Sequence, residues 1–208
     1  MNSNILIDHL PESLTVSGNE YPINWGYRAN MLIEIAMFSD RSDEQKLLDA
    51  LNIFYFRNIP KDINAAIERL QWFFRCGKEP LKPAGKGRAR RAYCFEQDAP
   101  LIYAAFRAQY GINLQQTKNM DLHWWEFCAL FDSLNEDLKI SRVMYYRTAD
   151  LSGMPKKQKE YIKKMRALYA IKNAEATMDS KVKLAKRNAD MKAYVRKRSA
   201  ETRKSGVV

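Results

Sequence analysis

DLHWWEFCALFDSL, residues 121–134, is the stretch that decides the fold. Read as an α-helix with 3.6 residues per turn, it has two apolar faces. One face carries Trp124, Phe127, Cys128, Phe131 and Leu134, and the other carries Leu122, Trp125 and Ala129. A helix that is apolar on two sides needs two neighbours. Either both neighbours belong to the same domain, or one face waits for a partner chain.

Our hypothesis assigns the two faces to different neighbours. Trp125, with Leu122 and Ala129, is predicted to lie on a partner-facing side, whereas Trp124, Phe127 and Phe131 hold the core. On this hypothesis Trp125→Ala would weaken the binding of a partner and leave the melting curve nearly intact. If Trp125→Ala prevented folding instead, Trp125 would belong to the core.

The composition predicts a folded chain without a membrane span. The 208 residues are 46% hydrophobic and 12% aromatic, which excludes wholesale disorder and suffices for one core, with or without an appendage. No apolar run approaches the roughly 18 residues that cross a bilayer, and the N-terminus lacks a basic region followed by an apolar block. We therefore expect the protein to reside in the cytoplasm of the cell that makes it and to have no membrane partner.

The positive charge is unevenly distributed along the chain. From Met154 onward there are 17 Lys and Arg against 5 Asp and Glu, whereas residues 1–153 carry 18 against 19. Within that nearly neutral part, residues 78–91 hold 6 bases and 1 acid. This distribution indicates basic appendages on a domain and not a basic domain.

The N-terminal half is predicted to be a β-hairpin followed by three helices. Two short apolar runs flank a Gly-Asn turn in residues 13–24, which is typical of a hairpin. Apolar residues at helical spacing then predict helices over residues 26–38, 42–56 and 60–77. Residues 78–93 contain two prolines and two glycines without periodicity, so we predict an exposed basic linker.

The C-terminal half is predicted to be helical throughout. Helices are expected over residues 95–110, then over 121–134 and 135–147. In the first of them Pro100 requires a start near residues 96–99, and Gly111 ends the helix. Residues 156–204 contain no Gly or Pro and predict a long basic helix. Within it, a stripe formed by Tyr161, Met165, Leu168 and Ile171 predicts docking. Residues 173–208 are expected to be a basic helical or disordered extension of a domain that spans residues 1–172.

No constellation of catalytic or metal-binding residues is apparent. The three cysteines, Cys76, Cys94 and Cys128, lack a CxxC spacing and are interpreted as reduced core thiols. His123 and Glu126 form an i,i+3 pair, which we interpret as a surface pair because no second histidine completes a zinc motif. The carboxylates of Glu96, Asp98, Asp121 and Glu126 lie near predicted helix starts, where capping explains them. We expect no enzyme, no cofactor and no metal.

Two basic segments suggest nucleic acid as an alternative ligand. The candidate phosphate contacts are Lys86, Arg88, Arg90 and Arg91 in the linker and Arg196, Lys197 and Arg198 in the tail. Neither segment shows an aromatic RNA-binding motif or a helix-turn-helix pattern. Solubilisation of a protruding loop and tail explains the same charges.

Five blocks of sequence resemble the bacteriophage gp-fifteen family. They begin at Phe95 (FEQD), Ile102 (IYAAF), Tyr110 (YGINL), Leu122 (LHWWEF) and Tyr146 (YRTADL), and their order and spacing also match. The resemblance covers residues 10–172, and LHWWEF is its most specific part. It implies a protein of tailed phages and prophages of Gram-positive bacteria, encoded in the tail module near the tape-measure gene.

The resemblance implies a role in tail assembly, most plausibly as a chaperone that coats the tape-measure protein before the tail tube polymerises. No catalytic residues come with it, and it says nothing about the basic linker or residues 173–208. A tape-measure chaperone needs apolar surface that accepts amphipathic helices. We therefore predict an all-α protein, a compact multi-helix domain with a small N-terminal β-hairpin and a long basic C-terminal helix. Its predicted function is phage tail morphogenesis in the bacterial host cytoplasm, with homo-oligomerisation possible. A nucleic-acid-associated phage protein is the alternative.

Overall fold

The chain is mostly helical, as a computed structural model shows for residues 4–79 and 90–172. In that part of the chain a two-stranded hairpin precedes seven α-helices. The strands are β1 (Ser13–Val16) and β2 (Asn19–Pro22). The helices are α1 (Tyr27–Met37), α2 (Asp43–Phe54), α3 (Ile63–Phe74), α4 (Ala99–Tyr110), α5 (Trp124–Asp132), α6 (Lys139–Thr148) and α7 (Lys156–Leu168). The predicted helix over residues 156–204 ends at Leu168 in the structure, and its residues 173–204 lie outside the described residues.

The predicted hairpin is confirmed, with its turn one residue earlier than expected. β1 and β2 pair antiparallel, with Ser13 opposite Pro22 and Val16 opposite Asn19. The turn residues are therefore Ser17 and Gly18, and both have positive φ angles, of 49° and 82°. Positive φ at both central positions matches the twist of a two-residue hairpin turn.

Capping residues set several helix boundaries where the sequence predicts them. The Ser42 hydroxyl accepts a hydrogen bond from the Gln45 N–H (3.3 Å), and the Gln45 side-chain oxygen accepts one from the Ser42 N–H (3.4 Å). The Asp62 carboxylate accepts the Ala65 N–H (3.1 Å) at the start of α3. Gly111, with φ of 69°, ends α4 in the left-handed conformation that glycine adopts without strain.

One helix begins and another docks differently from the predictions. α4 begins at Ala99, within the range that Pro100 predicts, because the preceding residues form a turn in which the Asp98 carboxylate accepts a hydrogen bond from the Cys94 N–H (2.9 Å). A turn also precedes α6, which begins at Lys139 and not at residue 135. On α7 the predicted stripe is wrong in part, because Tyr161 and Leu168 are exposed and Ile162 is the buried residue.

The core surrounds α5, and the chain itself supplies the neighbours of both apolar faces. On one side the Trp125 indole N–H donates to the Phe73 carbonyl (2.8 Å) at the end of α3. On the other side Phe127 stacks on Phe106 of α4, with ring centroids 4.9 Å apart. The alternative in which both faces are covered within one domain is therefore the one the structure shows.

Residues 24–30 and 114–124 form a long-range clamp. The Tyr27 N–H donates to the Leu122 carbonyl (3.1 Å), and the Trp124 N–H donates to the Trp25 carbonyl (2.9 Å). The approach is close enough that a Cβ atom on Gly26 would lie 2.3 Å from a backbone oxygen of residue 119. Only glycine fits at this position, because that oxygen belongs to backbone that the clamp holds in place.

Candidate partner-binding groove

An apolar groove lies between α1, α2, α3 and the segment that begins at residue 90, and we name it the α1–α3 groove. It has a volume of about 430 Å³, within the range of ligand-binding clefts. Its lining consists of Ile33, Glu34, Met37, Phe38, Leu47, Ala50, Ile67, Leu70, Gln71, Phe74, Arg75, Arg91 and Tyr93. Nine of these thirteen residues are aliphatic or aromatic, so the walls suit an apolar ligand.

The groove leaves large apolar side chains in contact with water. Met37 is 44% exposed and Phe38 is 55% exposed, at the C-terminal end of α1. The hairpin of α1 and α2 carries further exposed apolar residues, because Leu32 and Leu48 are each 55% exposed. A second and larger cleft, of about 860 Å³, lies beside Leu32, but six of its eleven lining residues are polar. The α1–α3 groove is therefore the better site for an apolar segment.

Two arginines give the groove a basic rim. The Arg91 guanidinium lies over the Phe38 ring, 3.4 Å from its centroid, which is a cation–π contact. Arg75 also lines the groove, and its Nε donates to the Lys78 carbonyl (3.2 Å). A ligand with acidic residues beside its apolar surface would complement this rim.

Glu34 is the one acid of the groove, and it is buried with two partners. The Arg91 guanidinium donates to Glu34 Oε1 at 3.2 Å, and the Tyr93 hydroxyl donates to Glu34 Oε2 at 3.3 Å. Burial raises the pKa of Glu34 above its ordinary value, although the bond and charge of Arg91 oppose that rise. Burial and the adjacent Glu34 also raise the pKa of Tyr93, so its hydroxyl stays protonated.

This raised pKa predicts how Glu34→Gln changes stability with pH. Below the ordinary pKa of about 4.5 the carboxyl is protonated in both the folded and unfolded states. As pH rises above that value the unfolded state ionises first, which lowers the free energy of unfolding of the native protein until Glu34 also ionises. Glu34→Gln cannot ionise, so we expect a higher melting temperature than the native protein near neutral pH. The difference should vanish below the ordinary pKa.

Melting curves of Glu34→Gln and the native protein across this pH range measure the effect. The control is Glu126→Gln, which alters an exposed capping residue. Lower stability of Glu34→Gln at neutral pH would show that the pair with Arg91 outweighs the cost of burying the charge.

The structure corrects the predicted partner-facing residues of α5. Trp125 is 3% exposed and Leu122 is 8% exposed, so both are buried in the chain's own core. α3 covers Trp125, whose ring packs against Phe73 with centroids 5.7 Å apart. Ala129 is exposed, but alone it presents only a methyl group. The predicted partner surface on this face of α5 is therefore absent from the described structure.

The interpretation of His123 and Glu126 as a surface pair is wrong for the histidine. His123 is 5% exposed and forms the N-cap of α5, where its Nδ1 accepts the Trp125 N–H (3.0 Å). The Glu126 carboxylate accepts a hydrogen bond from the His123 backbone N–H (2.9 Å), which completes a capping box. The His123 Nε2 is 3.2 Å from the Pro11 carbonyl oxygen. Burial lowers the pKa of His123, in keeping with a neutral capping ring.

The predicted anion-binding residues are only partly within the described residues. Arg91 is bound to Glu34, whereas Arg90 is exposed. Lys86 and Arg88 of the linker lie outside the described residues, as do Arg196, Lys197 and Arg198 of the tail. Of the predicted phosphate contacts, only Arg90 and Arg91 can therefore be located in the structure.

The cysteines and the carboxylates named in the sequence analysis have structural environments that do not resemble a catalytic or metal site. Cys76, Cys94 and Cys128 are free and half-buried. Asp98 is buried in an ion pair with Arg147, and Asp121 accepts the Lys118 N–H (2.9 Å) in a short 3-10 turn. Among the described residues no group of His, Cys, Asp and Glu has the arrangement of a metal site. No helix in that part of the chain is long and apolar enough to span a membrane.

Comparison with known families decides the relationship of the chain. The sequence profile described as "Bacteriophage Gp15 protein" matches residues 6–171. The chain belongs to this family. The resemblance carried by the five sequence blocks is thereby confirmed, and the protein is a phage-related protein. No curated protein and no solved structure matches the chain.

The Gp15 match covers the α1–α3 groove and the whole of α5. Its residues end at 171, three residues beyond the end of α7 at Leu168, so residues 173–208 are not part of the match. The groove therefore lies in the portion that defines the family. The pairing of Glu34 with Arg91 could not be predicted from the sequence, since 57 residues separate them.

Proposed function

We propose that this Gp15-family protein acts in phage tail morphogenesis as a tail assembly chaperone for the tape-measure protein. The α1–α3 groove holds an amphipathic helix of the tape-measure protein and keeps its apolar face from water until the tail tube forms. The observation that supports the proposal is the groove itself, in which Met37 and Phe38 leave apolar surface uncovered by the described residues. The family resemblance supplies the tail module as the setting.

The chemistry of the groove supports a helix as its ligand. An amphipathic helix binds by inserting apolar anchors at i, i+3 or i+4, and i+7 into a groove of aliphatic and aromatic side chains. Flexible methionines suit such a surface, because they adapt to different anchors. Acidic residues on the flanks of the helix would face Arg75 and Arg91 on the rim.

Co-purification with the tape-measure protein tests this proposal. The chain and the tape-measure product of the same phage are co-expressed, and retention on the tagged chain is measured. We expect Met37→Ser with Phe38→Ser to weaken retention about tenfold or more, because the loss of two apolar anchors costs about 1.5–3 kcal/mol each when fully buried. Both side chains are already exposed in the free protein, so the melting temperature should change little.

The matched control is Leu32→Ser with Leu48→Ser. These residues lie on the same two helices and are each 55% exposed, but they do not line the groove. We expect them to leave retention unchanged. Equal loss in both double variants would indicate non-specific apolar contact, and no retention of the tape-measure protein by the native chain would refute the chaperone function.

A further inference from the structure

Four tyrosines cluster on the surface formed by α6 and α7. Tyr146 of α6 lies at the centre, with its ring centroid 6.1 Å from Tyr145 and from Tyr161, and 6.3 Å from Tyr169. The hydroxyls of Tyr146 and Tyr161 are 3.4 Å apart. Tyr145 is 47% exposed and Tyr161 is 51% exposed, so two of the four rings present much of their area to water.

The exposed side of α7 surrounds this cluster with lysines. Lys157, Tyr161 and Lys164 follow at i, i+4 and i+7, so they lie in one row along the helix, about 10 Å long. Lys156, Lys159 and Lys163 form the adjacent row, and four of these five lysines are exposed while Lys159 is half-buried. An aromatic ring is thus flanked by a cation on each side.

The lysines of α7 form no ion pair within the described part of the chain, although the charge of Lys159 acts on Asp150. The ion pairs found there lie on other elements, and none includes a lysine of α7. The nearby acids are Glu160, within the helix, and Asp150, which binds the Ser152 N–H (2.9 Å) and hydroxyl. Repulsion among like charges on one helix is unfavourable, and an anionic ligand would relieve it.

A second pair of cations continues this surface beneath α7. Arg90 and Arg166 line one cavity, which also contains Thr148 and Asp150. Arg166 is fixed by bonds from its guanidinium to the carbonyls of Tyr146 (2.9 Å) and Ala149 (2.7 Å). Arg166 therefore joins the tyrosine cluster to the exposed Arg90.

We propose that the tyrosine cluster and the lysine rows of α7 together bind single-stranded nucleic acid. Cations that follow a phosphate backbone, combined with exposed aromatic rings on which bases stack, are the two features of sequence-tolerant single-strand binding. A duplex hides its bases from such rings, and an acidic protein has no bases to stack. The surface is separate from the α1–α3 groove, so it does not depend on the proposed chaperone function.

Fluorescence anisotropy of a labelled oligothymidylate with the full-length chain tests the proposal. We expect salt-sensitive binding that is tighter than binding to a duplex of the same sequence length. Tyr145→Ala with Tyr161→Ala should raise the Kd about tenfold, because each stack of a base on an aromatic ring contributes substantially. Lys157→Gln with Lys164→Gln should reduce the slope of log K against log salt by about one unit.

Matched variants elsewhere on the chain distinguish binding at this surface from non-specific electrostatic binding and from binding by the basic tail. Phe56→Ala removes an exposed aromatic ring beyond α2, and Lys61→Gln with Lys118→Gln removes two exposed lysines. Both should leave the Kd unchanged, and all variants keep residues 173–208. The proposal is overturned if the native chain does not bind, if the tyrosine variant binds like the native chain, or if polyglutamate competes as well as oligothymidylate does.

Discussion

Replacement of Arg147 by methionine should lower the free energy of unfolding by about 3–5 kcal/mol, since it breaks a buried ion pair from one side. Arg147 is 4% exposed, and its guanidinium donates to both carboxylate oxygens of Asp98, at 2.5 and 2.9 Å. It also donates to the carbonyls of Ala92 (2.9 Å) and Tyr169 (2.7 Å). The variant leaves the Asp98 charge buried without a cation. Denaturant unfolding measures the change.

Arg142→Met is the control on the same helix. Arg142 is exposed and donates only to the Asp137 carbonyl, so its loss should cost about 1 kcal/mol at most. Asp98→Asn with Arg147→Met should recover part of the lost stability, because no unpaired charge remains. If Arg147→Met lowered the free energy of unfolding as little as Arg142→Met does, the buried ion pair would not contribute to stability as proposed.

Trp125→Ala should lower the free energy of unfolding by about 3–5 kcal/mol, as large-to-small changes in a core do. The Trp125 ring packs against Trp72 and Phe73, with centroids 5.5 and 5.7 Å apart. Alanine leaves a cavity there and removes the indole bond to the Phe73 carbonyl. This expectation reverses the one from the sequence, in which Trp125→Ala would leave the melting curve nearly intact. Thermal and denaturant unfolding distinguish the two.

Trp125→Phe and Ala129→Ser are the controls for this change. Phenylalanine refills most of the cavity but lacks the indole N–H. Trp125→Phe should therefore lower the free energy of unfolding less than Trp125→Ala does. Ala129 is exposed on the same helix, and its change to serine should alter the free energy of unfolding by about 0.5 kcal/mol at most. A near-native melting curve for Trp125→Ala would place Trp125 outside the core.

Local signals in the sequence predicted much of the fold. Ser42, Asp62 and Gly111 mark helix ends through interactions within a few residues, so the helices they bound could be located from sequence alone. The hairpin likewise depends on a turn of two residues. The family could also be recognised, because LHWWEF has a composition that few sequences share.

Contacts between distant residues could not be predicted in the same way. Helical periodicity placed Trp125 and Leu122 on a second apolar face, but it could not show that α3 covers that face. The burial of His123 as an N-cap depends on Trp25, whose ring stacks on it with centroids 5.4 Å apart. On α3, Ile63 is 44% exposed, while Phe73 is fully buried because Trp125 of α5 packs against it.

The α1–α3 groove could not be predicted from the sequence for the same reason. Met37 and Phe38 lie in a helix that the sequence predicts over residues 26–38, and only the arrangement of three helices shows that they are exposed. The tyrosine cluster is similar, since Tyr146 and Tyr161 come from two helices. Periodicity on one helix cannot show which residues of another helix lie beside it.

The clamp between residues 24–30 and 114–124 constrains the order of events on the ribosome. The Ala29 N–H is bound by the side chain of Asn119, 90 residues later in the chain. At a synthesis rate of about 5–20 residues per second, the nascent α1 waits about 5–20 s for that partner to be made. During this interval the emerging N-terminal helices have no α5 to pack against, so release of the chain before residue 124 would deliver a polypeptide that cannot close its own core.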